Sequence, residues 1–360
     1  MADRGYLLTE PDLHALSIGA GILGTGGGGN PYQGMLRCRE LMRGGAELRV
    51  IPIDALPDDA LVAEVGGIGA PVVSIEKLRE GRESLRAIRA LEQETGIRIA
   101  ATISAEIGGS NAMEPFIAAA HAGLPVVDGD GMGRAFPEVQ MTTYFIYGQN
   151  PAPAAMADDK GNVVIFREIV DMYWLERLAR DVAVGMGAAA MLATAPMRAD
   201  FLRGAAIPGT VTQALTIGRA VLDARARRQD VLDRLAKVAD ARLMFTGRII
   251  DVRRELKGGF ARGHAVIEGH GAYAGQEARI AIQNENLVLW IDGAARVVVP
   301  DLIMNLVEET GEPITTEVLR YGQRVATIAL PAHPLLKTPE ALKVVGPAAF
   351  GYPDIPYNPL

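Results

Sequence analysis

The apolar run Ile99-Ala-Ala-Thr-Ile-Ser-Ala105 breaks off at Glu106-Ile-Gly-Gly-Ser-Asn111, and this junction limits the available folds more than any other feature of the chain. A short apolar run bounded by turn residues reads as a buried strand. Gly108 and Gly109 turn the chain, Ser110 or Asn111 caps a helix, and Glu114 sits in that helix's first turn. The helix is expected to run to about His121 and to stop at Gly123. Leu124 to Val127 reads as a second strand, followed at once by Asp128-Gly-Asp-Gly-Met-Gly-Arg134. The unit is strand, polar turn, helix, strand, polar turn. In open α/β sheets ligands bind at the carboxyl ends of the strands, so Glu106 and the Asp128/Asp130 pair are expected at one edge.

The flanking segments extend this pattern. Thr9-Glu-Pro-Asp12 reads as a helix start, with the helix continuing to about Leu23. Gly24-Thr-Gly-Gly-Gly-Gly29 breaks it, and Asn30-Pro31 opens a second helix that ends near Gly44. Strand-like runs follow at 48–53 and 60–65, then a Gly66-Gly-Ile-Gly-Ala-Pro71 turn. An amphipathic helix is read from Arg79 to Gly96, with Leu78, Leu85, Ile88 and Leu91 on one face. Val139–Tyr147 and Val163–Phe166 read as strands, Asp158–Asn162 as a hairpin turn between apolar segments, and Asp171–Ala193 and Thr210–Ala239 as two long helices. Beyond Arg242 apolar residues alternate with period two between turn residues, which indicates an antiparallel β module. The expected fold is an α/β N-terminal domain over residues 1–170 with a mostly parallel sheet. A C-terminal domain over 171–360 adds long helices and the antiparallel module.

Composition narrows the function. Net charge is −7 with both signs dispersed, which argues against a nucleic-acid surface. The single cysteine, Cys38, suits a reducing compartment. No apolar stretch reaches the ~18 residues of a membrane span, and the amino terminus lacks secretory-signal character. A cytoplasmic protein is expected. Five histidines form no HxH or HExxH motif; His121 suits a helix C-terminus, and His264 reads as a packed or surface residue. Cys38 lies mid-helix without a local activating partner and reads as a buried thiol.

The carboxylates carry the chemistry. Glu106, Asp128 and Asp130 are the candidate catalytic residues, because neighbouring like charges push their pKa values apart and so provide an acid/base pair or a cation site. The glycine loop lacks both the P-loop Gly-Lys-Ser/Thr and a preceding strand, so neither nucleotide-binding context holds. Its exposed N–H groups beside a helix start suit an anion or a carboxylate. Thr25, Gly26, Gly27, Gly28, Gly29, Asn111, Arg134 and Gln140 are therefore the candidate substrate-binding residues, with Arg134 suited to grip a carboxylate. The sequence fixes no metal ligands; a divalent ion bound by Asp128 or Asp130 is the alternative source of a nucleophile.

Leu23-Gly-Thr-Gly-Gly-Gly-Gly-Asn-Pro-Tyr32, Glu106-Ile-Gly-Gly-Ser-Asn111 and Pro125-Val-Val-Asp-Gly-Asp-Gly-Met-Gly-Arg-Ala-Phe-Pro-Glu138 resemble the S-methyl-thiohydantoin desulfurase-like family over nearly the whole chain. The resemblance implies hydrolysis of a C–S bond in an S-methyl thiohydantoin to give a hydantoin and methanethiol. The substrate is then a small five-membered heterocycle. Two other readings stay open: a non-catalytic partner subunit of a hydantoinase/oxoprolinase-type enzyme, and a metal-dependent cyclic amidohydrolase. The Gly/Ala-rich segment Val182–Ala195 suits packing in a homo-oligomer as well as within the chain.

Overall fold

The computed structural model describes residues 5–69, 73, 79–257 and 260–360. Ala70 and Pro71 of the expected Gly66–Pro71 turn, and Leu78 of the expected helix face, lie outside these residues. Among the described residues, ten strands form one sheet: β1 (Tyr6–Leu7), β2 (Arg49–Ile51), β3 (Leu61–Gly69), β4 (Ala101–Ser104), β5 (Val126–Asp130), β6 (Ala154–Ala157), β7 (Val163–Phe166), β8 (Ala189–Ala193), β9 (Met197–Arg198) and β10 (Ile207–Pro208). Seven more form a second: β11 (Arg242–Lys257), β12 (Phe260–Gly269), β13 (Glu277–Gln283), β14 (Glu285–Ile291), β15 (Ala294–Val298), β16 (Leu302–Val307) and β17 (Arg324–Leu330).

The N-terminal part is α/β, and the strands at its centre run parallel in the order β2-β5-β4-β3. Antiparallel strands extend the sheet on both sides, β1 next to β2 and β8-β6-β7 beyond β3. β4, the helix Glu114–Ala122 and β5 make the expected crossover unit. All four residues of β4 are buried, as a central strand covered on both faces requires. The helix Glu83–Thr95 covers one face, burying Ile88 and Leu91 among Ala155, Ala157 and Ala193; each such side chain contributes about 2 kcal/mol. The second sheet is antiparallel throughout, in the order β15-β14-β13-β12-β11-β17-β16.

The chain beyond residue 170 supplies more than the second sheet. β8, β9 and β10 pair into the first sheet, and the helix Thr210–Arg227 packs on the helix Glu10–Leu23. That helix contact needs two glycines. A Cβ at Gly19 would lie 1.8 Å from the Ala214 carbonyl oxygen, and one at Gly218 would lie 1.7 Å from that of Ala15. No helix among the described residues is long and apolar enough to cross a membrane.

Four local expectations are corrected. The segment Asp171–Ala193 is not one helix: the helix ends at Gly185, Gly187 and Ala188 take φ of 87° and 65°, and Ala189–Ala193 becomes β8. Alanine favours helix, but pairing with β3 and β6 decides this segment. Val139–Tyr147 is not a strand. The segment folds as a single 3-10 turn (Val139–Met141) and a short helix (Thr143–Ile146), held by Thr143 N–H to Gly131 O at 2.6 Å and by the buried Tyr144 hydroxyl to Ser104 O at 3.1 Å. Thr210–Ala239 is two helices, divided where Arg228 takes φ of 53° and Asp230 caps Val231–Ala239 through Leu232 N–H at 2.7 Å. The helix read from Arg79 begins at Glu83, whose carboxylate accepts from the N–H groups of Glu80 and Gly81 and holds them outside it.

Candidate active site

The carboxyl ends of β3, β4 and β5 surround a cavity of about 110 Å³ that opens to solvent. It is far larger than one water needs, yet smaller than the sites that enclose drug-sized ligands. Among the described residues four carboxyl groups line it, and they come from different parts of the chain: Glu64 in β3, Glu106 just after β4, Glu138 after β5, and Glu285 at the start of β14.

Glu106 is buried where β4 ends and the chain turns into the 3-10 segment Gly109–Ala112. Its Oε1 accepts from Asn111 Nδ2 at 2.7 Å and its Oε2 from the Phe136 N–H at 3.0 Å. Asn111 is fixed in turn, because its Oδ1 accepts from the Gly67 N–H at 2.7 Å. Burial pushes the pKa of Glu106 up to about 8; the negative charge of Asp130 adds to this, and the two hydrogen bonds only partly offset it. Near neutral pH Glu106 is therefore largely a carboxylic acid, a proton donor facing a cavity.

Glu64 is raised to about 7, chiefly by burial, although its Oε2 accepts from the Thr194 hydroxyl. Gln149 Nε2 donates to Thr194 Oγ1 at 3.0 Å, so a short polar chain leads from the cavity into the sheet. Burial raises Glu285 well above the ordinary carboxylate range, and the charge of Glu106 adds to the shift. Glu138 is only partly buried, is raised by the same desolvation, and accepts from Gln140 Nε2. Two arginines also line the cavity, and both are engaged. Arg79 pairs with the buried Glu114 at 2.7 Å, while Arg180 pairs with Glu176, donates to the Pro137 carbonyl and lies over the Phe260 ring.

The residues expected to act together are divided by the structure. Glu106, Asn111, Gly28 and Gly29 line the cavity. Asp128 does not: its Oδ1 accepts from the Val211 and Thr212 N–H groups and its Oδ2 from the Thr212 hydroxyl, so it caps the helix Thr210–Arg227. Asp130 lies beneath Glu106, with Oδ2 accepting from the N–H groups of Ile107, Met132 and Gly133 at 2.7–3.1 Å. Its carboxyl is raised to about 7 by burial, and it reaches the site through its charge on Glu106, not through contact with the cavity.

Arg134 is no carboxylate clamp. It is fully buried, and its guanidinium donates to Ala135 O, Pro300 O, Asp301 O, Thr25 Oγ1 and Asn286 O, which uses all five N–H groups. It ties the N-terminal turns to the C-terminal half. Thr25, Gly26 and Gly27 belong to that joint as well, since Thr25 O accepts from Asn286 N and Gly26 O from Thr316 N. Gln140 is buried beside the site and holds Glu138.

Sequence reasoning left out Glu64, Glu285 and Thr142, all of which line the cavity. Glu64 had a readable signal, since it is the one charged residue in the apolar run Leu61–Val65. Glu285 had none, because a glutamate at a hairpin tip ordinarily faces water. Among the described residues no group of three or more His, Cys, Asp or Glu side chains is placed to hold a metal ion.

Two family models divide the chain between them. The S-Me-THD-like N-terminal domain matches residues 11–168, and the S-Me-THD-like C-terminal domain matches residues 170–360. A crystal structure of a protein from Chromobacterium violaceum is similar over 99% of this chain and 100% of its own, with 26% identity and a TM-score of 0.82. Among curated proteins nothing matches.

Proposed function

Because the chain belongs to the S-Me-THD-like family, we propose that the cavity at Glu106 hydrolyses the C–S bond of an S-methyl thiohydantoin, releasing methanethiol and leaving a hydantoin. The observation that carries this reading is a buried carboxyl, raised to about 8, that is held by Asn111 and opens onto a small cavity. Such a group can give a proton and take it back near neutral pH, as general acid–base catalysis requires.

The substrate carbon that bears sulfur is double-bonded to a ring nitrogen. As water adds to that carbon, protonated Glu106 gives its proton to the nitrogen, and Glu138, the least buried of the four carboxyls, takes the proton that water sheds. The adduct then carries a hydroxyl and a methylthio group on one carbon. Its collapse forms the carbonyl and breaks the C–S bond. The hydroxyl proton returns to Glu106, and Glu138 delivers its proton to the departing sulfur. One water is consumed, one methanethiol is released, and both carboxyls end as they began. Asn111 is a positioning residue for Glu106, and Gln140 for Glu138.

Purified chain incubated with an S-methyl thiohydantoin should release methanethiol, and Glu106→Gln should slow release by about 10²-fold or more. Ring opening without thiol release would point instead to a cyclic amidohydrolase. Release only after a hydantoinase/oxoprolinase-type protein is added would make this chain a partner subunit.

A further inference from the structure

Two buried polar groups that line the cavity have no hydrogen-bond partner among the described residues: Oε2 of Glu285 and Oγ1 of Thr142. Both residues are almost wholly excluded from solvent. A buried donor or acceptor without a partner costs stability, and such groups persist where a ligand or water completes them. Their residues come from opposite halves of the chain, and both line the cavity that Glu106 also lines.

The placement of Glu285 is built into the fold. It follows the hairpin tip at Asn284, which takes φ of 56°, exchanges hydrogen bonds with the Ala261 backbone and accepts from Thr316 Oγ1 at 2.6 Å. The same tip is tied to the glycine loop through Asn286 N to Thr25 O at 2.8 Å and Thr316 N to Gly26 O at 2.7 Å. Gly27 makes room for the carboxyl: a Cβ there would lie 2.0 Å from Glu285 Oε1. The early glycines therefore bring a carboxyl of the second half into the site.

We infer that Glu285 and Thr142 form a binding subsite for the cis-amide edge of a neutral five-membered heterocycle, an assignment that rests on reading the cavity as a thiohydantoin site. A ring of that size holds its N–H and C=O on the same side. A neutral carboxyl offers an O–H and a C=O side by side, which matches that edge with two hydrogen bonds, and the Thr142 hydroxyl adds a third contact. Burial favours the neutral form of Glu285.

The probe is hydantoin, which has the cis-amide edge but no sulfur, measured by titration calorimetry on the full chain at millimolar concentration. Wild type should bind it, and hydantoin methylated on both nitrogens should bind at least about tenfold more weakly. Glu285→Gln keeps a donor and an acceptor and should bind within a few-fold of wild type, whereas Glu285→Met should lose about tenfold or more. Gly27→Ala, which displaces the carboxyl, should behave like Glu285→Met. Thr142→Val should lose about tenfold and Thr142→Ser should restore most of it. Thermal melts confirm that each variant is folded. Wild type that fails to bind hydantoin, or folded Glu285→Met and Thr142→Val variants that bind it as well as wild type, would overturn the assignment. Methanethiol release separates the two readings. Hydantoin binding that depends on these residues without thiol release removes the proposed reaction and leaves the subsite. Thiol release with hydantoin binding indifferent to both residues removes the subsite and leaves the reaction.

Discussion

Glu106 should make the protein less stable as pH rises, and its removal should weaken that trend. The carboxyl is raised from an ordinary value of 4.5 to about 8 in the folded chain. It therefore binds its proton about 5 kcal/mol more tightly when folded than when unfolded. Because the folded value is the higher one, this contribution is complete below pH 4.5 and is lost as the pH climbs through 8. Glu64 and Asp130, each raised to about 7, act in the same direction over a narrower window. Glu106→Gln removes the titration but keeps an oxygen for only one of the two donors, Asn111 Nδ2 and Phe136 N–H. The variant should thus be about 1 kcal/mol less stable than wild type at pH 5 and more stable by several kcal/mol at pH 9. Urea unfolding of both proteins at pH 5, 7 and 9, with the m-value checked for constancy, measures the difference. Subtracting the two curves cancels most of the contribution of Glu64. A difference that stays flat from pH 5 to 9 would show that Glu106 titrates as an ordinary carboxyl, and the proton donor of the proposed reaction would go with it.

Three further outcomes follow from the geometry. Arg134→Met leaves five acceptors without their donor and should cost about 3–5 kcal/mol in urea, with the KM of the folded fraction unchanged; a raised KM at full stability would restore the carboxylate clamp. Asp128→Ala should cost about 1–2 kcal/mol, as loss of a helix cap does, and should leave methanethiol release at the wild-type rate; loss of turnover at that stability would return Asp128 to the active site. The Cys38 thiol is fully buried, and burial pushes its pKa well above the ordinary value, so iodoacetamide should label it only as fast as the chain unfolds. Rapid labelling of native protein would place that thiol at the surface.

The sequence shows its sheets more clearly than its joints. The β4–helix–β5 unit and the alternating strands beyond Arg242 could be read because each follows one dominant period. The failures fall where long-range pairing decides the outcome. Ala189–Ala193 carries a helix composition but forms the strand between β3 and β6. Val139–Tyr147 has a strand composition but is anchored by long-range bonds, Thr143 N–H to Gly131 O and the Tyr144 hydroxyl to Ser104 O. The same division runs through the site. Glu106 and Asn111 could be found because they sit at a strand end within one local motif. Asp128 and Asp130 are two residues apart on β5, yet the first caps the helix Thr210–Arg227 and the second holds the N–H groups of Ile107, Met132 and Gly133. Adjacency in sequence could not separate them. Glu285 comes from a hairpin far away in the chain, and no local pattern announces it.

The charge balance of the cavity bears on what it can bind. Among the described residues four carboxyls surround it, while the two arginines on its lining already face Glu114 and Glu176. Without a cation drawn among the carboxyls, the arrangement is tolerable only if most of them carry protons, and that is the direction in which burial drives Glu64, Glu106 and Glu285. A site of neutral carboxylic acids offers hydroxyl donors beside carbonyl acceptors, which suits an uncharged ring of alternating N–H and C=O groups better than it suits a free carboxylate or an ammonium ion. The early glycine loop then has a role other than the anion cradle its composition suggests. Two of its glycines line the cavity, while Gly27 gives way so that a carboxyl of the second half can approach. The backbone bonds from Asn286 to Thr25 and from Thr316 to Gly26 hold that approach in register. On this argument the two halves meet at the cavity because each supplies part of its lining, Glu106 and Thr142 from the first and Glu285 from the second, and separating them should abolish binding.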